Sequence, residues 1–217
     1  MSSLTFSFDV ELYLVTDRDL ALGRPLTWVV EKAVKGGVTM VQLREKDLST
    51  KDFIEEALLM KKLLRPFKVP LIINDRVDVA KGVNADGVHL GQNDMPPQMA
   101  RNILGYDKII GLSVESVEQA EEANDMSINY VAVNPVFTTP TKEELANELG
   151  IEGVKQISSV SRHPVVGIGS IKEHNAAEII LAGADGVAVV SAICSAEDPG
   201  KAAKGLLKQV KKGKSLI

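Results

Sequence analysis

Short apolar, β-branched runs alternate along this chain with longer stretches whose apolar residues recur at helical spacing. Residues 12–15, 40–43, 71–73, 87–90, 109–112, 130–133, 165–168 and 187–190 read as eight strands. Residues 26–35, 51–64, 96–104, 117–124, 152–160, 173–181 and 199–211 read as helices between and after them. Gly36-Gly37 is a natural stop for the first helix. Ser49 and Thr50 are N-cap candidates for the second, which closes before Pro66. The strands are apolar on both faces, the pattern of parallel strands buried under helices. Eight such units in 217 residues point to an α/β protein, a closed (βα)8 TIM barrel forming a single domain over 1–217. A doubly wound open sheet is the alternative, but it does not naturally need eight strands.

Two segments echo each other: NADGVHL from Asn84 and GADGVAVV from Gly183. Each is a small-residue turn feeding a strand, at the fourth and eighth units. The expected role is structural, letting a helix end pack close to the next strand. Trp28 is expected to pack a helix face against the barrel, and Cys194 to be a small packing residue.

In such barrels the active-site face lies just beyond the C-terminal strand ends. Thr16, Asp17 and Arg18 follow the first strand. Gln42, Arg44 and Lys46 alternate at the second and so share a side. Asn74, Asp75 and Arg76 follow the third, Gly91, Gln92 and Asp94 the fourth, and Ser113 the fifth. The sixth leads to Asn134, Pro135, Thr138, Thr139, Thr141 and Lys142; Gly169 and Ser170 follow the seventh, and Ser191 the eighth.

This set holds two isolated carboxylates, strong cations and several hydroxyls, with no Cys or evident His nucleophile. Magnesium takes oxygen ligands, often one or two carboxylates plus substrate phosphate oxygens. Arginine suits bidentate phosphate contacts, and small residues after the last two strands are a recurrent phosphate site. The residues therefore imply a magnesium–phosphate site with room for a second anion. The bland alternatives are helix caps for Asp75, Asp94 and Ser113, and surface ion pairs for Arg44 and Lys46 with Glu45 or Asp47. Asp17 and Arg18 are expected to pair with each other at the rim, and His89 to be a satisfied core or rim histidine.

The strings YLVTDR, VQLREKDLS, INDRVDVA, ADGVHLGQNDMP, GLSVES, VNPVFTTPTK, GIGSI and GADGVAVVSAI resemble the thiamine-phosphate synthase family, in order and over nearly the whole chain. The resemblance implies a magnesium-dependent transferase. It joins 4-amino-2-methyl-5-hydroxymethylpyrimidine diphosphate to 4-methyl-5-(2-phosphoethyl)thiazole, giving thiamine phosphate and diphosphate. It implies that Gln42, Leu43, Arg44, Glu45, Lys46, Asn74, Ser113 and Lys142 hold the pyrimidine diphosphate, with Arg44, Lys142 and Ser113 acting in catalysis. By the same resemblance, Asp75 and Asp94 would bind Mg2+, and Thr139, Pro140, Thr141, Gly169, Ser170, Val190 and Ser191 would hold the thiazole phosphate. The family usually has two glycines where this chain has Gly169-Ser170. A backbone N–H contact at Ser170 then requires a negative φ and room for the hydroxymethyl group. Residues 137–150, the longest polar connection, are expected to close over the substrates.

Net charge of −4 and the absence of a long apolar run argue against nucleic-acid and membrane partners. One cysteine precludes an intrachain disulfide, and no signal peptide is evident, so a cytoplasmic enzyme is expected. Family analogy alone allows a homodimer. Two other readings are a thiazole tautomerase-like isomerase on the same barrel and a non-catalytic phosphate-ligand binding protein. Neither needs the full diphosphate and magnesium set.

Overall fold

The structure, a computed structural model, describes residues 8–138 and 148–217. Eight strands form the sheet: β1 (Leu12–Val15), β2 (Met40–Leu43), β3 (Leu71–Asn74), β4 (Gly87–Leu90), β5 (Ile109–Val114), β6 (Tyr130–Val133), β7 (Val165–Ile168) and β8 (Gly186–Val189). Each pairs in parallel with its sequence neighbour, and β8 returns to β1 to close the barrel. The helices are α1 (Leu26–Lys35), α2 (Thr50–Leu64), α3 (Val77–Gly82), α4 (Pro97–Leu104), α5 (Val117–Ala123), α6 (Gly150–Val160), α7 (Ala176–Leu181), α8 (Ser191–Cys194) and α9 (Pro199–Lys214).

The sequence pattern does not predict α3 or α8, since six and four residues are too few for a helical period to register. It places the start of α7 three residues early. There Asn175 accepts the backbone N–H of Lys172 at 2.7 Å and holds a separate turn before the helix begins. Ser49 caps α2 by accepting from the N–H of Asp52. Trp28 corrects another expectation. Leu26, Val29, Val30 and Ala33 make up the buried stripe of α1, which turns Trp28 outward. It is 37% exposed, under the cations of Arg24 and Lys32.

Strand residues alternate between two cores. Leu12, Leu14, Val41, Leu43, Leu71 and Ile73 face outward into the layer shared with the helices. Tyr13, Val15, Met40, Ile72, Tyr130, Ala132, Val166 and Ala188 face inward and fill the lumen. A Cβ on Gly111 would lie 2.0 Å from the Tyr130 ring, so the fifth strand is bare where the tyrosine crosses it.

The two echoed segments share a device at the bottom of the barrel. Asp86, just before β4, accepts the N–H of Leu71 at the start of β3; Asp185, just before β8, accepts that of Val165 at the start of β7, each at 2.8 Å. Thr39 and Asn129 do the same for Leu12 and Ile110. Each odd-numbered strand thus has, at its first or second residue, an N–H satisfied by the side chain of the residue preceding the next strand. Cys194 is fully buried in the outer core, and burial pushes its thiol up to about 11, leaving it unreactive. Among the described residues no helix is long and apolar enough to cross a membrane.

Gly111→Ala is expected to destabilise the protein by roughly 1–3 kcal/mol, the cost of overpacking a filled core. Urea unfolding measures this, and an unchanged midpoint would show that Tyr130 is not wedged against the strand.

Candidate active site

The C-terminal mouth of the barrel encloses a cavity of about 310 Å3. Its second-strand wall is set by alternation: Gln42 points into the lumen, Leu43 into the outer core, and Arg44 and Lys46 into the cavity. Pairing of the first two units continues past the strand ends. The N–H of Thr16 donates to the Gln42 carbonyl at 2.9 Å, and the N–H of Arg44 donates to the Thr16 hydroxyl at 3.0 Å. Arg44 is thus anchored through its backbone, and its guanidinium lies 3.5 Å from the Asp17 carboxylate.

Opposite stand two acids. Asp75 follows β3 with φ +60°, its N–H donating to the His89 carbonyl at 2.8 Å. Asp94 accepts the N–H of Gly91 at 2.7 Å, which fixes it in the turn after β4. The two carboxyl groups come within hydrogen-bonding reach of each other. Burial and then Asp94 raise the pKa of Asp75 to about 6; Asn74 and Arg44 partly offset this. Among the described residues no group of three or more His, Cys, Asp or Glu could cage a metal. Two facing carboxylates on an open cavity instead suit an octahedral oxygen-seeking ion that keeps waters and substrate oxygens, as Mg2+ does.

The far wall comes from the seventh and eighth units, where Gly169, Ser170, Val190 and Ser191 line the cavity. Gly169 has φ +117°, and a Cβ there would lie 2.9 Å from the Phe137 carbonyl. Ser170 departs from expectation: its φ is +47°, not negative. The serine adopts the left-handed conformation that a glycine takes without strain. Its hydroxyl donates to the Thr138 carbonyl at 2.6 Å. A left-handed L-residue costs roughly 1–2 kcal/mol, and a hydrogen bond of about 1 kcal/mol offsets much of that.

The structure brings eleven of the proposed side chains or turns to one cavity: Gln42, Arg44, Lys46, Asn74, Asp75, Asp94, Ser113, Gly169, Ser170, Val190 and Ser191. Two do not join them. Leu43 is fully buried among outer-core residues, because it is one position out of phase with Gln42. Glu45 turns away to Arg18, which pairs with it at 2.7 Å and with Glu56 at 3.2 Å. Arg18 and Asp17 therefore do not pair with each other as expected: Asp17 meets Arg44 and lines the cavity. Thr139, Pro140, Thr141 and Lys142, and most of the connection 137–150, lie outside the described residues. Ser113 is no helix cap; Ser116 holds that position for α5, while Ser113 faces the cavity. Sequence reasoning missed Tyr13 as a cavity residue and left out His89, which lies 3.0 Å from Ser113.

The sequence profile of the thiamine monophosphate synthase family matches residues 12–193. The chain belongs to that family. It is 51% identical to a thiamine-phosphate synthase of Albidiferax ferrireducens over 194 residues, 89% of each chain. It is 49% identical to one of Clostridium acetobutylicum over 204 residues, covering 94% of this chain and 96% of the other. The solved thiamine phosphate pyrophosphorylase of Pyrococcus furiosus superposes with a TM-score of 0.86 at 39% identity, covering 94% and 96% of the two chains. In this family member the barrel mouth brings Asp17, Arg44, Lys46, Asp75 and Asp94 to one cavity.

The raised pKa of Asp75 predicts a pH signature. Between about pH 4 and 6 the folded state keeps a proton that the unfolded chain has lost. The contribution of Asp75 is therefore most favourable below pH 4, falls as pH rises through about 6, and stays low above. Asp75→Asn, which tolerates a positive φ, should raise the melting temperature of the ligand-free protein near neutral pH. The gain is on the order of 1 kcal/mol after allowance for partial exposure, vanishing near pH 4. Melting curves showing equal stability at neutral pH would contradict a destabilising Asp75 carboxylate, buried and facing Asp94.

Proposed function

We propose that this chain is a thiamine-phosphate synthase, a transferase that joins 4-amino-2-methyl-5-hydroxymethylpyrimidine diphosphate to 4-methyl-5-(2-phosphoethyl)thiazole and releases diphosphate. The observation that carries the reading is the facing pair Asp75 and Asp94 with Arg44 and Lys46 around the same cavity, in a chain of this family. Two acids beside two cations suit a polyanion that arrives with a divalent ion, and suit a neutral ligand poorly.

In this reading Asp75 and Asp94 hold Mg2+, which would supply charge neutralisation to the leaving diphosphate. Arg44, Lys46 and Lys142 hold the diphosphate oxygens and stabilise the charge that grows on them as the carbon–oxygen bond breaks. Gln42, Asn74 and Ser113 hold the pyrimidine. Thr139, Pro140 and Thr141, with Gly169, Ser170, Val190 and Ser191, hold the thiazole phosphate against the opposite wall. The aminopyrimidine supports a cation at its exocyclic methylene, and the unprotonated thiazole nitrogen attacks it. No general base is required. The protein's work is orientation, charge complementarity and exclusion of water from the cation. The same reading has a cytoplasmic enzyme acting on small molecules, without nucleic acid or membrane as partner, and admits a homodimer.

Purified protein mixed with both substrates and magnesium should form thiamine phosphate. EDTA should stop the reaction and added magnesium restore it. Arg44→Ala should lower kcat/KM by about 100-fold or more, the scale for losing a group that stabilises a developing anion. Lys142→Ala should cost turnover far more than melting temperature. Absence of product under all conditions rejects the synthase reading.

A further inference from the structure

At the cavity floor, five polar side chains from five different strands form one buried chain. The Gln42 amide nitrogen donates to the Tyr13 hydroxyl at 2.8 Å. Tyr13 meets the Tyr130 hydroxyl at 2.9 Å, Tyr130 meets His89 Nδ1 at 2.9 Å, and His89 Nε2 meets the Ser113 hydroxyl at 3.0 Å. All five are buried. Tyr130 and His89 also stack, with ring centroids 5.6 Å apart.

Each hydroxyl has one proton to give. Burial raises the pKa of both phenols, Tyr13 and Tyr130, so both stay protonated. Gln42 presents an N–H, so Tyr13 accepts there and must direct its own proton to Tyr130. Tyr130, having accepted, gives its proton to His89 Nδ1. A neutral imidazole with an accepting Nδ1 carries its proton on Nε2, which then donates to Ser113. The Ser113 proton is the one that no link within the chain requires, and Ser113 lines the cavity.

We propose that this chain has one polarity, from Gln42 to Ser113, and that Tyr13, Tyr130 and His89 are positioning residues that fix Ser113 as a hydrogen-bond donor to the pyrimidine substrate. The substrate side of this rests on the synthase reading; the polarity does not. A flipped Gln42 amide would reverse every link, putting the His89 proton on Nδ1 and making Ser113 donate inward.

Long-range proton–nitrogen correlation spectra of protein labelled with 15N-histidine separate the two cases. His89 is assigned by loss of its signals in His89→Gln. The expected result is a neutral ring protonated on Nε2 and bare on Nδ1; protonation on Nδ1 overturns the proposal. Tyr130→Phe keeps the ring and removes the donor to Nδ1. It should shift His89 to a mixture of tautomers. It should also raise KM for the pyrimidine diphosphate by about five- to tenfold, the scale of one hydrogen bond, with KM for the thiazole phosphate unchanged. An unaltered tautomer, or equal changes in both KM values, overturns the positioning role. If the unsubstituted protein makes no thiamine phosphate, the synthase reading fails while the tautomer result still decides the polarity.

Discussion

Eight parallel strands close into a stable barrel only if side chains fill the lumen, and Tyr13 and Tyr130 are the largest that do so here. They meet edge to face with ring centroids 5.9 Å apart and hydroxyls 2.9 Å apart. Much follows from this contact. The strand beside Tyr130 must carry glycine at 111. Two buried hydroxyls need partners, and Gln42 and His89 supply them. The lumen is thereby plugged at mid-height, and the space above the plug becomes a cavity instead of a pore.

Above that floor the electrostatics change character. The lumen is satisfied, whereas the mouth holds unresolved charge: Asp75 faces Asp94, while Arg44 is only loosely matched to Asp17 at 3.5 Å. Burial of the Asp75 carboxylate and then its repulsion from Asp94 cost stability in the ligand-free protein, a cost that a cation and a polyanion together would relieve. Packing is settled at the base, where polar side chains complete an N–H in the first two residues of each odd-numbered strand, and left open at the top.

The barrel was legible in the chain because alternation and counting are local signals. Seven predicted strands reach within a residue of both observed ends, and the eighth, β5, runs two residues further. The ring of polar residues after the strands was legible for the same reason. What local pattern cannot give is phase and partner. Leu43 sits one residue from Gln42 and faces the opposite core. Glu45 neighbours Arg44 in sequence, yet it is captured by Arg18 across 27 residues. Asp17 seemed suited to Arg18 beside it, but strand pairing brings Arg44 to it instead. The Tyr130–His89 contact spans 41 residues, and nothing local distinguishes either from an ordinary core residue. At Ser170 a local rule was outweighed by a hydrogen bond to Thr138.

The central claim is that Asp75 and Asp94 form one divalent-cation site serving a diphosphate held by Arg44. Crystals grown with manganese and inorganic diphosphate, measured at the manganese absorption edge, test it most directly. The account predicts an anomalous peak between the two carboxylates, bridged by diphosphate to the Arg44 side of the cavity. Diphosphate bound with no metal at that pair, or metal bound elsewhere in the barrel, would contradict it.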